Sequence, residues 1–229
     1  MAISIGNVST NIGTISGGPP YVLSHDNASG DFLLVGIPRG YTGFTEEPNA
    51  VTYGGNAMTR VDTHTHTANA RGLSVWKLAA PPAGVNNVSV TFTSDPGGAW
   101  LGGIIAVSFT GVNQSTPHGT VVEASSGSGS AVSGTASSSA TGLVVDFATA
   151  GDTSIVTSAT VGAGQTQQAN SASALSGAGN IAMCSTEPGA ASVSMDWTLD
   201  AAAAWKQTIV PLIAASGGGG PTLMGQIIN

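Results

Sequence analysis

The sequence predicts an all-β fold: an antiparallel β-sandwich, jelly-roll-like, with an extended C-terminal tail. Three observations predict it. Apolar and polar residues alternate with period two, turn signals separate the alternating runs, and the residues that dominate helical proteins are scarce. In Asn87–Thr93, Val88, Val90 and Phe92 face one way and Ser89, Thr91 and Thr93 the other. In Val193–Leu199, Val193, Met195, Trp197 and Leu199 alternate with Ser194, Asp196 and Thr198. Turns are marked by Gly17-Gly18-Pro19-Pro20, Gly54-Gly55-Asn56, Pro81-Pro82-Ala83-Gly84, Asp95-Pro96-Gly97-Gly98 and Pro188-Gly189.

Between those turns, strands are predicted over Phe32–Ile37, Ala50–Tyr53, Met58–Thr67, Leu73–Leu78, Gly103–Phe109, Thr120–Ala124, Leu143–Ala148, Ile155–Val161, Asn180–Ser185 and Trp205–Leu212. Asp200–Trp205 is alanine-rich but very short, and reads as a loop or one turn. Ser125–Ala140 is almost wholly Ser, Gly, Ala and Thr, and reads as a flat strand pair or a loop. The chain divides into an N-terminal segment, 1–20, expected to act as an assembly arm, a sandwich domain, 21–216, and a glycine-rich tether with an apolar tail, 217–229.

Composition narrows the function classes. Only 7% of the 229 residues are charged, against 33 glycines and 41% hydrophobic residues. A surface of Ser, Thr, Asn and Gly suits strands and tight turns. The net charge is −7, and the five Lys and Arg residues are scattered, so no run of phosphates could be neutralised and nucleic-acid binding is not expected. No apolar stretch approaches the length of a membrane helix, and no membrane insertion is expected. Met1–Thr10 carries no visible leader peptide, so the expectation is a protein made and kept in a host cytoplasm until release. A secreted domain whose leader has been removed is the alternative. The single Cys184 rules out an intrachain disulfide framework.

Several segments together resemble a recurrent β-sandwich domain of phage structural proteins and of bacterial surface or secreted proteins. They are Val51-Thr52-Tyr53-Gly54-Gly55-Asn56-Ala57-Met58-Thr59, Ser74-Val75-Trp76-Lys77-Leu78 and Val88-Ser89-Val90-Thr91-Phe92. Ala106-Val107-Ser108-Phe109 running into Gly111-Val112-Asn113-Gln114-Ser115-Thr116-Pro117 is the most specific piece, followed by Gly142-Leu143-Val144-Val145-Asp146 and the strand around Trp205. The resemblance spans about Tyr21 to Ala215. It implies a jelly-roll-like sandwich and no enzymatic activity.

Candidate sites are few. Arg60, Asp62, His64 and His66 share one face of the predicted strand, and a His-x-His pair beside a carboxylate has the ligand types of a zinc site. The competing reading is a solvated polar face, because Val61, Thr63, Thr65 and Thr67 occupy the other side. His25-Asp26-Asn27 with Asp31, and Glu46-Glu47, could supply oxygens to calcium, but Asp and Asn also simply favour turns. Trp100 and Tyr41 sit at loops and are the candidates for stacking on a sugar. Trp197 and Cys184 read as core. No nucleophile elbow, metalloprotease helix or phosphate-binding loop is present.

The tail, with Thr222, Leu223, Met224, Ile227 and Ile228, is apolar and uncharged on a glycine leash. It would be a liability unless a neighbouring sheet edge receives it, and folding back on its own domain is the other outcome. The expectation is therefore a non-enzymatic virion component: a head decoration, a tail-associated protein or a fibre subunit. Its partners would be further copies of itself and other virion proteins, with host surface polysaccharide as a further ligand. A carbohydrate-binding or adhesion module, and a subunit of an extracellular bacterial fibre, are the alternatives.

Overall fold

Outer strands alternate in burial and inner strands do not, and that difference sets the layers. The computed structural model describes residues 2–16, 19–40, 46–64, 72–93, 99–151, 156–171 and 180–216. Among them every pairing between strands is antiparallel, and the strands form three sheets.

The middle sheet contains β1 (Ser4–Ser16), β3 (Phe32–Arg39), β6 (Thr59–Arg60), β7 (Gly72–Ala79) and β9 (Ala99–Thr110), in the order β1-β9-β3-β7-β6. On one side of it lies the sheet β2-β8-β4-β5, made of β2 (Tyr21–Asp26), β4 (Pro48–Tyr53), β5 (Asn56–Ala57) and β8 (Val85–Phe92). On the other side lies β10-β15-β11-β14-β13, made of β10 (Val122–Ala136), β11 (Leu143–Gly151), β13 (Thr166–Asn170), β14 (Asn180–Pro188) and β15 (Val193–Leu212). A short β12 (Ala159–Val161) also pairs with β15.

β2 alternates buried and exposed residues along its whole length, as a strand with one wet face must. β3 is buried at every position because it is covered on both sides. Leu33, Val35 and Ile37 pack with Tyr53, Val88 and Val90 of the first sheet, while Phe32 and Leu34 pack with Phe147 and Val210 of the third. β11 shows the same double burial: Val145 and Phe147 face β3's sheet, and Val144, Ala148 and Ala150 face away.

What those outward residues meet is the third sheet itself. β15 pairs with β10 along both of its halves, with register breaks at Ser126–Gly129–Ala131. The two-stranded ribbon bends there and doubles back. Val132, Trp197 and Leu199 of its far half then pack on Ala148, Ile181, Met183 and Trp205, and Val193 and Met195 pack on Val144 and Ile209. The sandwich thus has a fourth layer, and Asp200–Trp205, expected as a loop or one turn, is strand running through the bend. Ser125–Ala136 is likewise strand, paired along β15.

Two further expectations change. The segment 1–20, expected to precede the sandwich, supplies β1, which pairs with β9 from Ser4 to Ser16. Among the described residues of the predicted strand Met58–Thr67, Thr59–Arg60 are paired and 61–64 run on as irregular chain, while 65–67 lie outside the described residues. The Gly54-Gly55 turn is as expected, with both glycines at positive φ (54° and 81°) between the paired Tyr53 and Asn56.

Layer contact is closest at Gly36, where a Cβ would lie within 2.8 Å of three carbons of the Phe147 ring. Gly36→Ala is expected to lower unfolding free energy by roughly 1–3 kcal/mol, the usual cost of overpacking. Gly127→Ala, where a Cβ meets nothing within 4 Å, is the control and should change it by less than about 0.5 kcal/mol. Equal losses in denaturant melts of the two variants would contradict the packing described.

Candidate functional site

The polar side chains that could carry chemistry gather in two buried places, each where layers meet. The first centres on Asp146, a fully buried carboxylate on the face of β11 that looks toward the folded-back layer. Its Oδ1 accepts from the Ser185 amide at 2.7 Å and the Ser185 hydroxyl at 2.6 Å. Its Oδ2 accepts from Trp197 Nε1 and from Gln207 Nε2, both at 2.8 Å. Gln165 Nε2 donates to Ser185 Oγ at 2.7 Å, which leaves the Ser185 proton for Asp146. Four donors around two oxygens are what an acceptor-only carboxylate needs. Burial pushes its pKa up, and the Ser185, Gln207 and Trp197 hydrogen bonds act against that shift. Gln207 Nε2 also donates to the carbonyl of Met195 at 2.9 Å, tying the second half of β15 to the first.

The second place holds three of the five Lys and Arg residues, Arg39, Arg60 and Lys206, with Glu47, Asp62, His64 and Glu123. Arg39 is 1% exposed; its guanidinium donates to Glu47 Oε2 at 2.7 Å and to the Glu46 carbonyl. Burial lowers its pKa and the Glu47 carboxylate raises it, but a guanidinium stays charged. Arg60 reaches the same Glu47 oxygen at 3.1 Å, donates to Asp62 Oδ1 at 2.7 Å and to the His64 carbonyl. The other Asp62 oxygen accepts from Thr208 Oγ1 of β15 at 3.1 Å. Desolvation raises the Asp62 pKa, and Arg60 opposes it. His64 Nε2 lies 3.0 Å from the Gln207 carbonyl, which can only accept, so the proton sits on Nε2. Glu123 of β10 accepts from Thr63 Oγ1 at 2.9 Å and from the Thr63 amide. The Arg60 bonds to Asp62 and His64 are local, while the Asp62–Thr208, His64–Gln207 and Thr63–Glu123 bonds join 61–64 to β15 and β10.

Of the residues considered for zinc, Asp62 and His64 are thus bonded to β15. Asp62 and His64 point inward, 6% and 7% exposed, and Thr63 points out. The solvated face predicted for them is the buried one, because 61–64 leave the strand and their polar groups find partners on β10 and β15. His66 lies outside the described residues, and among the described residues no group of three His, Cys, Asp or Glu side chains could hold a metal.

Several of the groups considered for calcium have partners, although Asn27 Oδ1 has none among the described residues. Asp26 Oδ1 accepts from the Ala28 amide at 2.8 Å. Asn27 is buried and donates to the carbonyls of Gly30, Pro81 and Pro82. Asp31 accepts from the amides of Gly111 at 2.8 Å and Val112 at 3.3 Å, which anchors the turn carrying the Gly-Val-Asn-Gln-Ser-Thr-Pro motif. Within that turn Asn113 Oδ1 accepts from Ser115 and Thr116, and the Asn113 amide donates to Ile213 as the last strand leaves.

Tyr41 and the tail residues Thr222, Leu223, Met224, Ile227 and Ile228 lie outside the described residues. Trp100 is in β9 opposite Ile15; its side chain lies outside what is described. Trp197 is core, as expected, and so is Cys184, whose thiol burial pushes well above its ordinary range. Sequence reasoning missed Asp146, although a lone acid inside the apolar run Leu143–Ala148 was the signal for it. No family model, curated protein or solved structure matches the chain.

Two outcomes are expected. Asp146→Ala leaves the Trp197, Gln207 and Ser185 donors without their acceptor and should cost at least about 3 kcal/mol, at roughly 1–3 kcal/mol per buried unsatisfied group. A loss under 1 kcal/mol in equilibrium unfolding contradicts that. His25 is 1% exposed, with Nδ1 2.9 Å from Ser9 Oγ and, among the described residues, no partner for Nε2. Burial holds its pKa below 6.5, against a smaller push from Asp26. The unfolded chain then takes up this proton first, so the His25 contribution to stability falls as pH drops below 6.5. His25→Gln should lose less stability than wild type between about pH 7 and pH 5; identical slopes would rule the assignment out.

Proposed function

We propose that this chain is a structural component of a virion, as a head decoration, a tail-associated protein or a fibre subunit, working through assembly of many copies. The observation that carries the reading is where the reactive groups are. Asp146, Asp62, Arg39 and Asp31 bind other parts of the same body, across layers or turns, rather than line a cleft. On its outer face β8 keeps the short, uncharged Ser89 and Thr91, while β2 exposes Val22, Ser24 and Asp26. A layered body of this kind resists distortion, and its surface suits broad contacts repeated by symmetry. The resemblance to β-sandwich domains of phage structural proteins supports the same reading.

In this reading the apolar tail Thr222–Asn229 docks on a neighbour, on its Gly217–Gly220 leash. The test is the solution mass of the full chain beside a version ending at Ser216, each across a concentration series. The full chain is expected to form a defined oligomer or fibre, and the shortened one a folded monomer. A full chain that stays monomeric at every concentration overturns the assembly reading, and a shortened one that assembles equally well removes the tail from it.

A further inference from the structure

We infer that copies of this chain join head to tail through two open strand edges, β1 of one copy pairing with β10 of the next. The inference rests on the assembly reading above and names its contact surfaces. Among the described residues β1 is paired on one side only, with β9, and β10 on one side only, with β15. Each therefore presents a row of unpaired amides and carbonyls, a template for another strand.

Proteins that stay apart guard such edges with Lys, Pro or short length. Neither device is present here. β1 runs for 13 residues, Ser4–Ser16, with no charge and no proline. β10 runs for 15 and has a single charge, Glu123, whose carboxylate is turned to Thr63 of its own chain. Bulges interrupt both, but they leave Val8–Ser16 of β1 and Ala131–Ala136 of β10 as unbroken ladders. With a net charge of −7, copies repel in general. Along Val8–Ser16 and Ala131–Ala136 the edge strands themselves carry no charge, and the carboxylate beside them is that of Asp196, bonded to Ser133.

The flanks decide the partner. β9 packs over β14, β3 over β11 and β7 over β15, and β1 lies beside β13. β1 is thus on one flank of the sandwich and β10 on the opposite one. Two different surfaces on opposite flanks make a heterologous contact, which propagates from copy to copy. A ladder of six or so residues is small against the cost of association, so edge and tail act together and loss of either suffices.

The test uses the full chain with lysines at exposed edge positions: Thr10→Lys with Asn11→Lys on β1, and Ala131→Lys with Thr135→Lys on β10. Analytical ultracentrifugation reads the mass, and a thermal melt close to wild type confirms the fold. Each variant alone is expected to lose all species above monomer. Mixed one to one, they should restore a dimer and nothing larger, because each retains the edge that the other lacks. If only the β10 variant is monomeric, the contact is β10 on β10 and the head-to-tail inference is overturned. If both assemble like wild type, the edges play no part, while the assembly reading stands. A wild-type chain that never assembles would instead sink the reading on which the inference rests.

Discussion

The Asp146 carboxylate is the constraint on which the layering depends. A β-ribbon as long as β10 with β15 could lie extended as one edge of a sheet. Here it doubles back, and the far half needs a reason to stay. Apolar packing of Trp197, Met195 and Leu199 supplies most of the attraction, but packing alone is not directional. Asp146 supplies direction: its two oxygens take donors from β14, from the near half of β15 and from the far half. A buried carboxylate is tolerable only when its acceptor capacity is filled. Any slip of the far half that removed Trp197 would therefore leave a charge half solvated by protein and reachable by no water.

The cluster around Arg39 does the same for the contact between the middle and third sheets. Glu47 joins Arg39 and Arg60, and Asp62 joins Arg60 to Thr208. In a chain with five Lys and Arg residues, three of them gather in this one network. Buried ion pairs of this kind are modest sources of stability but strong specifiers of geometry, since a misplaced partner costs several kcal/mol.

How much of this the sequence disclosed depends on position in the layers. β8, with one wet face, was legible from alternation, whereas β2 alternates over Tyr21–Asp26 and was not among the predicted strands. The doubly covered strands were legible as runs: Phe32–Ile37 and Leu143–Ala148 are apolar with no period, as burial on both faces requires. The bend of β15 was not legible. Ala201–Ala204 carries little strand propensity, and what makes it strand is pairing to β10, a long-range contact that no local window contains. β10 was ambiguous for the same reason, since Ser and Gly neither alternate nor pack. The burial of Asp62 and His64 was misread because the polar groups were weighed without their partners. Thr208, Gln207 and Glu123 lie 146, 143 and 60 residues or so away in sequence, and only the fold brings them together.

The most direct test of the account is a double-mutant cycle between Asp146→Ala and Trp197→Phe, read by equilibrium unfolding of the full chain. Trp197→Phe keeps most of the packing and removes the indole donor, so the cycle isolates the bond that pins the folded-back layer. A coupling above about 1 kcal/mol is expected for a buried hydrogen bond to a charged acceptor. Additive losses would mean that the two halves of β15 are held by apolar contact alone, and that Asp146 does not direct the fold.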